Sequence, residues 1–367
     1  MQLLLATPSL KDNGGVASFF NGVMPFLKER HDVCLHEIGA TQGRDVLFHP
    51  VLDQIRFHRL LPGKGGYLVH LNPSLNLKSF LRDGLFILQA KRAGLPVLVF
   101  FHGWRRDFEK LVTRRLLWLF RMTFARADAF IVLAGDFAGV LRRWGITQPI
   151  HRLTTCVDEP LLAKFSLAEK ERSIREAARL KILFLSRLER EKGVFETVAA
   201  VEALFRQDMP VELAIAGDGP VMAELRRYLA ERKLPADRFR LLGYVRGKDK
   251  AAAFAGHHVY CFPTRYGEGL PTSVLEAMAF AMPVLTCPAG GIADFFQDGS
   301  MGYLADAGRP EDLPRLLGLL VEDREKVLAM ARYNHAHAME HFMASRVAAR
   351  LEEVYRSLLQ PAGNGRR

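Results

Sequence analysis

Two carboxylates bracket a Gly-Leu-Pro corner in the stretch RYGEGLPTSVLEAMAFAMPVL, residues 265–285, with seven residues between them. Glu268 falls in a glycine-rich turn, and Glu276 lies just inside an apolar helical pattern that starts near Pro271 or Thr272. Neither acid suits a phosphate, because the charges repel, but both accept hydrogen bonds from hydroxyls. The first N–H groups of the helix have no partner within it and suit phosphate oxygens. Glu276 also has a structural alternative: Ser273, three residues ahead, completes a capping-box pattern if the helix begins at Ser273. Spacing leaves both readings open.

Four other loops carry residues fit for chemistry. KILFLSRLEREKGVFETV sets Arg187 and Lys192 between a strand and a helix that Gly193 lets begin tightly. Two cations beside a helix N-terminus would neutralise a diphosphate. With Glu189, Arg190 and Glu191 in the same loop, a solvated charge run is the alternative. PVLVFF ends in His102-Gly103-Trp104, where a histidine could bond a sugar hydroxyl, carry a proton or serve structure alone. After the first strand, Gly14-Gly15 permits a ligand to approach the backbone, or is a simple strand-to-helix turn. Gly217-Asp218-Gly219 reads as turn chemistry.

The elements that must position these loops alternate along the chain. LLLAT, YLVHL, PVLVFF, AFIVL, KILFLS, VELAIAG, FRLLG, VYCFP and PVLTC are short apolar runs separated by helical patterns. Strands apolar on both faces argue parallel sheets covered by helices. The rhythm breaks between Cys156 and Leu180, and 367 residues exceed one comfortable core. The expectation is two doubly wound Rossmann-like α/β domains with a cleft between them, ligands binding outside the carboxyl ends of the strands. Four widely separated cysteines predict reduced thiols, the start MQLLLATPSL predicts a first strand rather than a signal peptide, and no apolar run is long enough to span a bilayer. The net charge of +11 is uneven: residues 1–165 carry +9, which predicts an anionic partner such as a membrane surface, a phosphorylated acceptor or nucleic acid.

In their order and spacing these motifs resemble a retaining glycosyltransferase of family 4, with the GT-B architecture. EGLPTSVLEAMAFAMPVL matches the family's Glu, seven residues, Glu element; LSRLEREKG, AGDGP, GGIADFFQDGSMGYL, the early GG, HG and the final SRVAARLEEVYRSLL also match. The resemblance implies an acceptor-binding domain over 1–160, a linker over 161–179, a nucleotide-sugar domain over 180–342, and a helix over 343–360 that crosses back to the first domain. It implies that Arg187, Lys192 and the backbone of Gly15 and of Gly269, Leu270, Pro271 and Thr272 hold the donor's pyrophosphate. Glu276 would hold the ribose, Tyr244 and Val245 the base, and Glu268 and His102 the transferred sugar as catalytic or positioning groups. No cofactor is implied. The chain has no Asp-x-Asp element, in keeping with metal-independent chemistry. Two positions depart from the pattern: Thr155-Cys156 stands where Asn-Gly is common, and Asp294 where Glu is common.

The implied reaction moves a sugar from a UDP- or GDP-sugar to a glycan or lipid-linked acceptor with retention, in cell-surface polysaccharide or glycolipid synthesis. The expected place is the cytoplasm, at the inner face of the plasma membrane. Residues 104–127 read as one basic amphipathic helix, with Arg106, Lys110 and Arg114 on one face and Phe108, Leu111, Val112, Leu116 and Leu119 on the other. Such a helix would lie on an anionic membrane or present a solvated basic face beside a core. No recognition helix or exposed aromatic sheet speaks for nucleic acid. The rivals are a GT-B nucleotide-sugar epimerase or hydrolase and, in a different class, a basic nucleic-acid- or membrane-binding protein.

Overall fold

The computed structural model describes residues 1–11, 14–39, 49–61, 67–265, 267 and 269–359. The chain divides into unit 1 (1–156, 267–270 and 344–367) and unit 2 (157–266 and 271–343). Unit 1 begins β1 (Gln2–Pro8), α1 (Gly15–Arg30), β2 (Asp32–Ile38), α2 (His49–Leu60), β3 (Tyr67–Leu71), β4 (Ser74–Leu75) and α3 (Leu77–Arg92). It continues β5 (Val97–Phe101), β6 (Gly103–Trp104), α4 (Arg106–Leu111), α5 (Leu117–Met122), β7 (Ala129–Val132), α6 (Gly135–Arg143) and β8 (Ile150–Arg152). Its main sheet is parallel throughout, in the order β2-β1-β3-β5-β7-β8. Leu4, Ala6, Val69, Val97, Val99 and Phe101 line one face and pack against Phe57 of α2, Phe80 and Phe86 of α3, and Phe108 and Phe120 beyond β6.

The run expected as one helix over 104–127 is broken. Between α4 and α5 lies a π-type turn, Val112–Leu116. Its extra residue rotates everything downstream by about 100° relative to a regular helix. Phe120 therefore turns inward and Trp118 outward; Leu111, expected on the apolar face, lies ahead of the turn and is also exposed.

Unit 2 holds α7 (Leu167–Glu176), β9 (Leu180–Leu185), α8 (Val194–Arg206), β10 (Val211–Ala216), α9 (Met222–Glu231), β11 (Phe239–Gly243) and α10 (Gly247–Gly256). Then come β12 (Val259–Phe262), α11 (Thr272–Ala279), β13 (Val284–Thr286), β14 (Gly302–Leu304), α12 (Leu313–Glu322) and α13 (Arg324–His341). Its sheet is again parallel, in the order β11-β10-β9-β12-β13-β14. Strand order reverses between β9 and β12 here, and between β1 and β3 in unit 1. Such switch points open a crevice at the carboxyl ends of the strands.

Residues 161–179, expected as a linker, are built into unit 2. Ser166 caps α7 by accepting from Glu169 N, and Arg332 of α13 grips Glu171 with two bonds of 2.8 and 2.6 Å. Lys170 is buried; its Nζ donates to the carbonyls of Phe254 at 2.8 Å, Ala255 at 3.2 Å and His257. One ammonium thus satisfies the carbonyls that the end of α10 leaves open, at the negative end of that helix's dipole.

The last helix, α14 (Ala344–Leu359), belongs to unit 1 and packs on α1. Its Tyr355 hydroxyl lies 2.7 Å from His70 Nδ1, and its buried Glu352 accepts from Arg30 at 2.9 Å. The four cysteines form no disulfide; Cys156 packs so closely on α1 that a Cβ on Gly22 would lie 2.9 Å from its sulfur.

Candidate active site

The loops that follow β9 and β12 are laced together at the switch point of unit 2. Gly193 adopts φ +85°, and a Cβ there would lie 2.5 Å from Pro263 O, so only glycine lets the two loops approach. Arg265 N donates to Glu191 O at 2.7 Å. The Tyr260 hydroxyl donates to Leu185 O at 2.7 Å and lies 2.8 Å from Ser273 Oγ, tying the end of β9 to the first turn of α11. Lys192 Nζ sits 6.0 Å from the Phe262 ring centre, on the strand that leads to α11. Arg187 shares the loop but is largely exposed, its Nη1 3.3 Å from Glu189 Oε1.

The Gly217–Gly219 turn braces this loop from behind. Gly217 has φ +141°, and a Cβ on it would fall 1.9 Å from Ser186 O. Leu188 N donates to Asp218 O at 2.9 Å, and Gly217 N to Gly243 O at 2.7 Å. The turn therefore fixes backbone on both sides: the arginine loop, and the end of β11 where exposed Tyr244 and half-buried Val245 follow. With neighbouring strands about 4.8 Å apart, β11 to β12 spans about 14 Å of sheet edge.

Helix α11 begins at Thr272 with Pro271 at its cap position, and no side chain caps it. Ser273 is already inside the helix, so the capping box is not formed. Glu276 is instead buried, and its Oε1 accepts from Lys250 Nζ at 2.7 Å. Its Oε2 is buried without a hydrogen-bond partner among the described residues. Burial pushes the carboxyl's pKa up, the Lys250 ammonium pulls it down, and nearby Asp158 adds a further upward push. Asp158 is raised in the same way, by burial and Glu159 against Lys250. One ammonium thus serves two acids. An orphaned buried acceptor is costly unless something donates to it.

Unit 1 gathers a different set at its own strand ends. His102 Nε2 lies 3.1 Å from Asn72 Oδ1, while Asn72 Nδ2 donates to Ala6 O at 3.1 Å. The amide's orientation makes Nε2 the donor and leaves Nδ1 with a lone pair. The ring centre lies 3.8 Å from that of Phe100, tilted, and 5.1 Å from that of Phe19, edge-on, and burial with His70 nearby holds its pKa well below the usual histidine range. Gly269, grouped with unit 1, meets this histidine: a Cβ there would lie 2.5 Å from His102 O. Thr155 Oγ1 donates to Leu270 O at 3.4 Å. Gly15 opens α1 with exposed, uncapped backbone, and a Cβ on it would meet nothing.

Glu268 lies outside the described residues. Asp294 sits exposed in a short 3₁₀ turn of unit 2. Among the described residues no group of histidine, cysteine or acidic side chains could hold a metal ion, and no helix is long and apolar enough to cross a membrane. Lys250, Asp158, Asn72 and Tyr260 escaped the sequence reading. Only Asn72, a polar residue closing the apolar strand YLVHL, left a visible signal.

Two Rossmann-like units, each with ligand-fit loops at its switch point, define the GT-B glycosyltransferase fold. Residues 168–337 match the family glycosyl transferases group 1. The chain is 24% identical to alpha-D-kanosaminyltransferase of Streptomyces kanamyceticus over 285 residues, covering 74% of this chain and 73% of that protein. It is also 24% identical to the phosphatidylinositol N-acetylglucosaminyltransferase gpi3 subunit of Schizosaccharomyces pombe, over 97% of this chain and 74% of that one. The solved structure of Anabaena HepE in complex with UDP-glucose superposes with a TM-score of 0.73 at 17% identity, over 97% of this chain and all of that one. Residues 168–337, just under half of the chain, carry the group 1 glycosyltransferase match, and the relatives named are themselves glycosyltransferases, which marks the chain as a glycosyltransferase.

Proposed function

We propose that the enzyme transfers a hexose from a UDP- or GDP-sugar, with retention, to a glycan or lipid-linked acceptor in cell-surface polysaccharide or glycolipid synthesis. It would work in the cytoplasm, at the inner face of the membrane that holds the acceptor. The observation that carries the donor site is the free Oε2 of Glu276, held beside the start of α11 by Lys250. A ribose hydroxyl is a neutral donor that would satisfy it.

In this reading Arg187, Lys192 and the N–H groups of Gly269, Leu270 and Thr272 neutralise charge growing on the departing diphosphate. Gly15 adds backbone N–H, and Tyr244 and Val245 flank the base. His102, neutral and held by Asn72 through Nε2, orients the sugar by accepting from a hydroxyl at Nδ1 rather than by moving a proton, and Glu268 orients it too. The acceptor's proton passes to the leaving phosphate. No metal or other cofactor is required, so chelator should leave turnover unchanged.

A thermal-shift screen against UDP-, GDP- and ADP-sugars identifies the donor, because a ligand that binds the folded state raises the melting temperature. Glu276→Gln should raise the donor KM about tenfold, consistent with loss of a charge-assisted hydrogen bond. An unchanged KM would remove Glu276 from the site. NMR of the product's anomeric proton decides retention; an inverted linkage overturns it.

A further inference from the structure

The exposed apolar side chains of this protein are not scattered. Of the sixteen large ones exposed among the described residues, nine lie on α2, α3 and the α4–α5 run, all covering one face of the unit 1 sheet. Val51 and Ile55 of α2, Leu81 and Leu85 of α3, and Trp118 and Met122 of α5 are each 43% to 59% exposed. A globular surface shows single exposed leucines without consequence, but a clustered set marks a contact.

The seams between these helices show that the set faces outward as built. Gln89 Nε2 donates to Gln54 Oε1 at 2.6 Å, and Gln54 Nε2 to Arg82 O at 3.1 Å, closing α3 on α2. On the other side Gly84 abuts Thr123, where a Cβ would lie 3.2 Å away, closing α3 on the end of α5. Leu77, Leu81 and Leu85, at four-residue spacing, run along the helix between the two seams.

Charge chooses the partner. The acids of α2 and α3, Asp53 and Asp83, are both buried, while Arg56, Arg59, Lys78 and Arg92 are exposed. On the α4–α5 run Asp107 is taken by Arg105 and Glu109 by Trp104 and Arg106, leaving Lys110, Arg114 and Arg115 exposed. A second copy of the chain would bring two basic faces together and be repelled. Apolar side chains set singly among cations suit an interface that is anionic outside and hydrocarbon beneath.

We infer that the outward face of α2, α3 and α5 docks on an anionic lipid bilayer, with Leu81, Leu85, Trp118 and Met122 entering the acyl boundary. The inference rests on the reading that the enzyme serves a membrane-held acceptor. It places the contact on three helices of unit 1 rather than on residues 104–127 alone.

The chain supplies its own probe. Of its three tryptophans, Trp104 and Trp144 are buried and Trp118 is exposed, so an emission change on adding vesicles reports Trp118. The full-length protein is mixed with phosphatidylcholine vesicles, with or without about 30 mol% phosphatidylglycerol, at low and high salt. Co-sedimentation should favour the anionic vesicles and weaken with salt. Trp118 emission should shift to the blue and be quenched by brominated lipid. The double variant L81D/L85D, altered only at exposed positions, should bind vesicles at least about tenfold more weakly with donor binding unchanged.

A wild-type protein that stays in the supernatant at low salt overturns the inference. So does pelleting without a Trp118 shift, or pelleting that the double variant retains. Self-association seen by light scattering and lost in L81D/L85D would assign the face to a second copy instead. Transfer to a detergent-solubilised lipid-linked acceptor without vesicle binding would sink this surface and leave the function standing. Vesicle binding with transfer only to water-soluble acceptors would do the reverse.

Discussion

At the carboxyl end of its sheet unit 2 carries Arg187, Lys192 and the Lys250–Glu276 pair, whereas unit 1 carries His70, Asn72 and His102 among phenylalanine rings. The two sheets share a parallel, doubly wound plan with one reversal each, so the architecture does not explain the difference. The loops do. In unit 2, glycines at 193 and 217 let backbone pack on backbone, and charge is held on a rigid frame. In unit 1 the polar groups are uncharged and locked to one another, which suits shape and hydroxyl recognition. In the proposed reading the charged end would take up the negative leaving group and the neutral end would orient the sugar.

The largest effect that could break this comparison is at the cations. Arg187→Ala or Lys192→Ala should lower kcat about 10²- to 10³-fold, about 2–4 kcal/mol of barrier, by the size of comparable preorganised donors. Steady-state kinetics beside a melting curve checks it. Because Arg187 is exposed, its loss should leave the melting temperature nearly unchanged. A variant of full activity would place the charge of unit 2 outside the chemistry.

Next is the frame itself. Lys170→Met keeps the length of the side chain but strips three carbonyls of their donor, and should cost about 2–3 kcal/mol of unfolding free energy in urea. Activity per folded molecule should hold, since Lys170 is a buried residue of α7 and not part of the loops.

A third effect sharpens the contrast through pH. Burial lowers the pKa of His257 to about 4 and that of His258 to about 2. In the folded protein Lys181 N donates to His258 Nδ1 at 3.2 Å, so the ring is neutral with its proton on Nε2, facing Ser173. The unfolded chain takes up protons below pH 6.5 while the folded one does not. Stability is therefore whole above pH 6.5 and falls as pH drops, by about 1.4 kcal/mol per pH unit for each histidine. The loss for His257 runs down to about pH 4 and that for His258 further. Urea titrations of wild type and His258→Gln between pH 4 and 7 test this; equal slopes would refute it.

The smallest effect is at His102. As a neutral ring held by Asn72 it should contribute no titration near pH 6.5 to the kcat profile, and His102→Gln should cost about tenfold or less. A limb near pH 6.5 that vanishes in the variant would make it an acid–base group and erase the division between the units.

Much of this was legible in the sequence, for physical reasons. Strands buried on both faces are continuous apolar runs, so eight of them stood out; FRLLG, an edge strand of alternating burial, stood out by its apolar residues alone. DVCLHEI did not, because β2 is an edge strand, only partly buried and interrupted by Asp32, His36 and Glu37. Glycines that bring backbones together announced the loops of unit 2. The partner of Glu276 was invisible, because Lys250 comes from a neighbouring helix and no spacing rule links them. Spacing left the capping box open, and local structure decides against it: Pro271, not Ser273, takes the cap position, and Ser273 is engaged by Tyr260. The π-type turn likewise cannot be read from hydrophobic period, and it alone decides which aromatic of α5 faces outward.

Helix α14 closes unit 1 although almost two hundred residues separate it from β8. Unit 1 is therefore not a contiguous gene fragment. A product ending at 156 would leave bare the groove that Val347, Leu351 and Tyr355 fill and would strip His70 of its hydroxyl partner. Such a fragment should aggregate when made alone and become soluble when a peptide spanning 344–359 is supplied in trans. Ribosomal synthesis of the native chain meets the same condition: the first half cannot finish folding until the last helix has emerged.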